Sequence, residues 1–239
     1  MIRLWTQEEL THIADDNTGS SIARRALAFQ EIVTRPDFPC TFTWLPFATN
    51  SIRYGLIPPS ESGYEYLVLE SLKKLAVLST TDVDTTLVIF MPGDQAEVVQ
   101  FDDDDRPASA SLAVDFEVAR LIVRTVMGDN QTSESDATQP HWSLQVDGTD
   151  IFMNFSSPRH HLRRSRNVGD CLTLIAQPRA SFDIKGRSRP SVREHIRSRV
   201  RQYDQVPPHP ALGTHGQVGN REAHQYFLGD GLTSLDPTV

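Results

Sequence analysis

The sequence predicts a single α+β domain, a mixed sheet with a central antiparallel hairpin and packed helices. Three observations lead there. Apolar residues recur at the three-and-four spacing of one helix face in four separate segments, and shorter runs rich in β-branched and aromatic residues lie between them. Two of those runs flank Asp147-Gly148, the composition of a tight hairpin turn, so at least that pair is antiparallel. Helices and strands intermix without a repeating strand-helix unit, which argues against a doubly wound sheet. The 239 residues lie within what one hydrophobic core can hold, so one domain is expected over 1–239, with a helical segment at 1–36 and an irregular tail at 205–239.

The elements follow in order. Ile22, Ala26, Phe29 and Val33 share one face of a helix that Pro36 stops. Phe38 to Trp44 and Ser51 to Leu56 read as two strands joined by a loop around Pro46 to Asn50. Pro58 to Gly63 is turn-rich, and Val68, Leu72, Leu75 and Ala76 then mark a second amphipathic helix. The apolar run Thr86 to Met91, closed by Pro92-Gly93, is a strand buried on both faces. Leu112, Phe116, Ala119, Val123 and Val126 define a third helix, with Gly128 placed to end it. Gln131 to Gln139 is a polar connection. Trp142 to Val146 and Ile151 to Phe155 form the hairpin, and Cys171 to Ala176 is a further strand. Ser191 and Glu194 have the spacing of a capping box, opening a last helix with Val192, Ile196, Val200 and Tyr203 on one face. The Asp102 to Asp105 run lacks the spaced ligands and glycine of a calcium loop and reads as a solvated turn.

Composition excludes several classes of function. No apolar run approaches a membrane span, and Met1 to Glu9 carries Arg3, Glu8 and Glu9 where a signal peptide is apolar, so a cytoplasmic protein with no membrane partner is expected. Cys40 and Cys171 form neither a disulfide framework nor a zinc motif. The glycine cradles of dinucleotide and P-loop sites, the HExxH of zinc proteases and the GxSxG of serine hydrolases are all missing. The total charge of −8 is uneven: residues 159–201 hold eleven Arg and one Lys against three acidic residues, a net +9 that leaves −17 elsewhere. Such a block seeks an anion, whether a phosphate, a carboxylate or the protein's own acidic side chains. An acidic chain whose basic block lacks interleaved aromatics is not expected to bind nucleic acid.

The densest chemistry lies in Asn154 to Asn167, where His160, His161 and four arginines follow a strand. Imidazole can ligate a metal and guanidinium can hold carboxylates by paired hydrogen bonds. The run Ser157-Pro158-Arg159-His160 through Arg163 to Gly169, with Leu172 to Ile175 and Gln177-Pro178-Arg179, resembles the central signature of the YqcI/YcgG family. Phe38-Pro39-Cys40-Thr41-Phe42, His209 to Gly213, Asn220-Arg221-Glu222 and Gln225 to Leu228 agree in order, so the resemblance spans residues 38–230. It departs at Thr43-Trp44, where a glycine and a basic residue are expected, and at Ala223-His224, where Trp-Lys is usual; both changes bear on substrate identity.

The resemblance implies non-covalent haem b (protohaem IX) and hydroxylation of an amino-acid nitrogen, the guanidino nitrogen of L-arginine being the first substrate to consider. His160 is the expected iron ligand, since a residue directly after a strand is held by a rigid element. His161 is expected to face solvent. Cys40 is the rival ligand, because a thiolate favours O–O bond cleavage, and as a lone cysteine among aromatics it reads equally as a small buried hydrophobe. His209 is the third. Arg163, Arg164 and Arg166 are the expected propionate partners. Glu222, with Asp230 in reserve, is the carboxylate for a cationic substrate, and Tyr226 a donor to bound oxygen. Electrons must come from an external reductase or ferredoxin, or be replaced by peroxide, because the chain has no flavin or NADPH motif. A homo-oligomer is compatible with this reading. The alternative is a non-catalytic haem- or anion-binding module.

Overall fold

The computed structural model describes residues 2–15, 21–40, 44–58, 61–91, 108–131, 133–184 and 186–239. Among them are eight helices and a six-stranded mixed sheet in one α+β domain. The order along the chain is β1 (Trp5–Thr6), α1 (Gln7–Asp15), α2 (Ser21–Val33), α3 (Trp44–Ala48), β2 (Ile52–Leu56), α4 (Tyr64–Ser79), β3 (Thr86–Met91), α5 (Ala108–Asp129), α6 (Glu134–Ala137), β4 (Leu144–Val146), β5 (Thr149–Ser156), β6 (Leu172–Pro178), α7 (Ala180–Ile184) and α8 (Pro190–Tyr203). Across the sheet the strands run β1-β2-β3-β6-β5-β4, with β2 and β3 parallel and every other pair antiparallel.

Strand alternation divides the interior into two layers. From β3, Leu87, Ile89 and Met91 enter one core with α4 and α5, while Val88 and Phe90 enter a second core with α1 and α2. That explains why the run is apolar throughout: all six of its residues are buried. In β5, Ile151, Met153 and Phe155 are fully buried in the first core, each contributing about 1.5–3 kcal/mol by leaving water. The hairpin turn has Asp147 at φ 48° and Gly148 at φ 75°, the two left-handed residues that a type I′ turn requires, and it pairs Val146 with Thr149.

Three local expectations are corrected. Phe38 to Cys40 are not a strand, and the chain enters α3 at Trp44; Thr41 to Thr43 lie outside the described residues. Both edges of β2 are already taken, by β1 and β3, so the aromatic run cannot pair with β2, and Pro46 suits the first turn of a helix. The capping box at Ser191 is not used: α8 starts at Pro190, whose ring presets the first helical φ, and Arg189 occupies the cap position without a side-chain bond. A capping box forms instead at Ser133 and Asp136, giving the polar connection a short helix. Finally, α5 runs past Gly128 to Asp129, and Gln131 takes the left-handed φ of 52°. The Asp102 to Asp105 run lies outside the described residues. No described helix is long and apolar enough to cross a membrane.

Candidate functional site

The second face of the sheet is only partly filled. Over β1, β2 and β3 it is covered by α1 and α2, but over β5 and β6 the roof is α8, which carries four arginines in fourteen residues and supplies little apolar volume beyond Ile196 and Val200. A cavity of about 360 Å³ remains, floored by Asn154 and Ser156 of β5 and Ile175 and Gln177 of β6, and walled by Phe29 and Val33 of α2 and Ile196 and Val200 of α8. A second lobe of about 220 Å³ reaches Arg179, Arg187, His215 and Glu222. The two lobes share Cys40, Phe152, Gln177, Arg193, Gly213 and Gln225 among their walls, so they form one space with a waist. A space of this size, with apolar walls and a few polar groups, is the usual setting for a small molecule or cofactor.

At the far end of the smaller lobe lies a buried acid cluster. Glu222, 1% exposed, sits on a single 3₁₀ turn Glu222–Gln225. One carboxyl oxygen, Oε1, accepts from the Tyr226 hydroxyl at 3.2 Å, and the other is bonded by Arg179 and lies 3.3 Å from Nδ1 of His215. Burial pushes the Glu222 carboxyl up to about 7, against the pull of Arg179 and Tyr226. Burial and Arg179 hold His215 below the ordinary histidine value. Tyr226 itself is buried away from both lobes, its hydroxyl also accepting from the Leu144 amide at 3.4 Å; it supports Glu222 rather than facing a ligand.

The remaining predicted residues separate into those on the cavity and those used to build it. Cys40 lines both lobes, half-buried and outside any disulfide. His160 lines neither. Its Nε2 is 2.6 Å from the Leu228 carbonyl and its Nδ1 3.2 Å from the Ser157 carbonyl, and burial lowers its pKa. His161 is exposed, as expected. His209, 2% exposed, accepts from the Ala211 amide at Nδ1 and lies 3.3 Å from the Thr233 carbonyl at Nε2. Arg164 is exposed and stacks on Tyr203 at 4.7 Å, away from the cavity. Arg163 and Arg166 do line the larger lobe, but their donors are spent: Arg163 on the carbonyls of Gly229, Pro207 and Gly231, Arg166 on Asn154 and the Gln225 carbonyl. Burial, with Arg163 nearby, pushes Arg166 down to about 10. Asp230 caps the turn after His160, accepting the amides of His161, Leu162 and Arg163. Part of the basic block has thus found the protein's own acids: Arg159 pairs with Asp115, Arg179 with Glu222, and Arg187 with Asp84 at 3.0 Å.

Sequence reasoning missed Gln177, Arg179, Arg193, His215 and Gln225 as lining residues. For Gln177 a signal was present: it is a polar side chain on the face of β6 opposite Leu174 and Ala176. Arg193 was obscured by assigning α8 one apolar face when its inward face mixes Ile196 and Val200 with Arg193 and Arg197. Among the described residues no three His, Cys, Asp or Glu side chains group to hold a bare metal ion.

The fold and site define an α+β protein with a two-lobed cavity, partly open to solvent, bearing a thiol at the waist and a buried carboxyl at one end. The YqcI/YcgG family model matches residues 126–236. The chain is 30% identical over 214 residues to DcsA of Streptomyces lavendulae, proposed to be an N(omega)-hydroxy-L-arginine synthase, covering 84% of this chain and 77% of that protein. Two proteins of Bacillus subtilis (strain 168) match shorter stretches: YcgG at 39% over 99 residues, 40% of this chain and 39% of that one, and YqcI at 36% over 95 residues, 37% and 36%. The chain belongs to the YqcI/YcgG family. No solved structure matches it.

Proposed function

We propose that the chain is a haem-dependent oxygenase that hydroxylates a nitrogen of an amino acid, with the guanidino group of L-arginine as the first substrate to test. The observation that carries this reading is the continuity of the cavity: Cys40 lines its waist and Glu222 its end. The similarity to DcsA, with the activity its name proposes, supports arginine. The residues present fit haem. Apolar side chains from α2, β5 and α8 suit the faces of a macrocycle, and a thiol is an established axial donor. Cys40 is therefore the residue that would hold the iron, in preference to His160, whose ring nitrogens are both turned to backbone carbonyls.

When bound, the haem would supply the oxygen chemistry, with dioxygen and two electrons from an external reductase or ferredoxin, or with peroxide in their place. The protein's part is geometry and charge. Glu222 offers a carboxyl group to a cationic guanidinium, which competes with Arg179 for the Oε2 oxygen. Tyr226 orients that carboxyl through Oε1. Titration about 7 lets Glu222 be anionic when it receives the substrate and also accept or return a proton near neutral pH. The alternative, a non-catalytic haem- or anion-binding module, draws on the excess of arginines around the cavity. Incubating the haemin-loaded chain with L-arginine, dioxygen and a reductant separates the two. Product heavier by one oxygen supports the oxygenase, and unchanged arginine with a stable Soret band supports the binder. Cys40→Ala is expected to alter the ferric spectrum and His160→Gln to leave it unchanged; the reverse pair overturns the ligand assignment.

A further inference from the structure

Six arginines line the two lobes, and five of them are bonded to partners within the protein. Arg163 and Arg166 are bonded to carbonyls and to Asn154, Arg179 is bonded to Glu222, Arg187 to Asp84, and Arg197 to the carbonyls of Leu212 at 2.6 Å and Gly213 at 3.2 Å. Arg193 differs. Its backbone amide bonds the Arg189 carbonyl within α8, but its guanidinium has no hydrogen-bond or ion-pair partner among the described residues, although it is half-buried on the walls of both lobes. A cation turned into a partly dry cavity without a counter-charge is costly unless a ligand supplies one. The acidic side chains on the walls, Asp204 and Glu222, are engaged elsewhere, with Ser165 and with Arg179.

The geometry also restricts the anion. One planar guanidinium matches a carboxylate by two parallel hydrogen bonds, whereas a phosphate dianion calls for several uncommitted cations, and the other five arginines of the walls each already hold a protein partner. Flanking Ile196, Phe152 and Phe182 favour a ligand whose remainder is largely apolar or flat. We propose that Arg193 is the carboxylate anchor of the cavity, receiving a ligand carboxylate in a two-point pair at the waist between the lobes. The inference rests on the cavity being the ligand site, as in the reading above, and two carboxylates could satisfy it: a haem propionate or the α-carboxylate of the amino acid.

Four probes distinguish them on the full-length protein. Haemin and haemin dimethyl ester are titrated by Soret absorbance, and L-arginine and agmatine, its decarboxylated counterpart, by calorimetry. Arg193→Gln should melt as the wild type, because the side chain makes no internal bond, and should lose at least about tenfold in affinity for one carboxylate-bearing probe while its carboxylate-free counterpart is unaffected. Loss on haemin but not the ester identifies a propionate, and loss on arginine but not agmatine identifies the substrate. Arg193→Lys, which keeps the charge but not the fork, should recover only part of the affinity. The inference is overturned if Arg193→Gln binds all four probes as the wild type does, or if the wild type binds none. A wild type that refuses haemin yet shows the arginine effect refutes the haem reading alone.

Discussion

Substituting Arg163 by Met tests whether the basic segment is a cofactor seat or a structural clasp. The guanidinium, 1% exposed, ties together two stretches of the C-terminal region: Nε donates to the Gly229 carbonyl at 2.9 Å, Nη1 to Pro207 at 3.2 Å and Nη2 to Gly231 at 3.1 Å. Asp204 lies 3.8 Å away as its buried counter-ion. Met preserves much of the stem packing and removes every donor. Charge-assisted hydrogen bonds contribute about 1.5–3 kcal/mol each, but Pro207 and Gly231 are exposed enough for water to replace part of that. Removing one partner of a buried ion pair costs about 3–5 kcal/mol, and we take that as the net figure because Asp204 keeps only its bonds from Ser165. For a chain of this size the cost is a fall in Tm of roughly 10 °C. Calorimetric melting with urea unfolding as a second measure reads it directly. Arg164→Met is the control: its exposed stacking on Tyr203 accounts for no more than about 1 kcal/mol. An Arg163→Met protein that melts with the wild type and only loses haemin would refute the clasp and restore Arg163 as a propionate partner.

Two further outcomes are expected. Native Glu222 keeps its proton to about pH 7, while an unfolded glutamate releases it near 4.5, so its burial lowers stability progressively as pH rises from 4.5 to 7, by about 3 kcal/mol in all. Urea midpoints at pH 5 and pH 8 should show that loss in the wild type and not in Glu222→Gln; a pH-independent difference between the two proteins would remove the buried acid from the argument. Gly213→Ala would place a Cβ 2.4 Å from Oδ1 of Asn220, the atom that accepts from Gln225 at 2.9 Å. The overpacking should cost about 1–3 kcal/mol and weaken haemin uptake, since Gly213 and Gln225 both line the waist. Wild-type melting and affinity would show that the turn yields freely.

What the sequence determined by itself is what depends on short-range periodicity. The helix faces around Leu72 and Val123, the two-faced burial of β3 and the Asp147-Gly148 turn are properties of residues within a few positions of each other, and all were legible. The ordered signatures at Phe38 to Phe42 and Asn220 to Glu222, which include Cys40 and Glu222, were legible only as a family resemblance and not from periodicity. The tertiary structure decided which polar residues are spent and which are available. His160 and Arg163 look like ligands in sequence, yet their donors meet carbonyls of Leu228, Gly229 and Gly231, some 66 to 68 positions away in the chain. Arg193 looks like one more surface arginine on a polar helix, yet α8 lies over a sheet face that its side chains cannot fill. Buried polar groups take whatever partner the fold brings within hydrogen-bond reach. For that reason composition could show a surplus of positive charge, while only the packed chain could show which guanidinium was left facing the cavity.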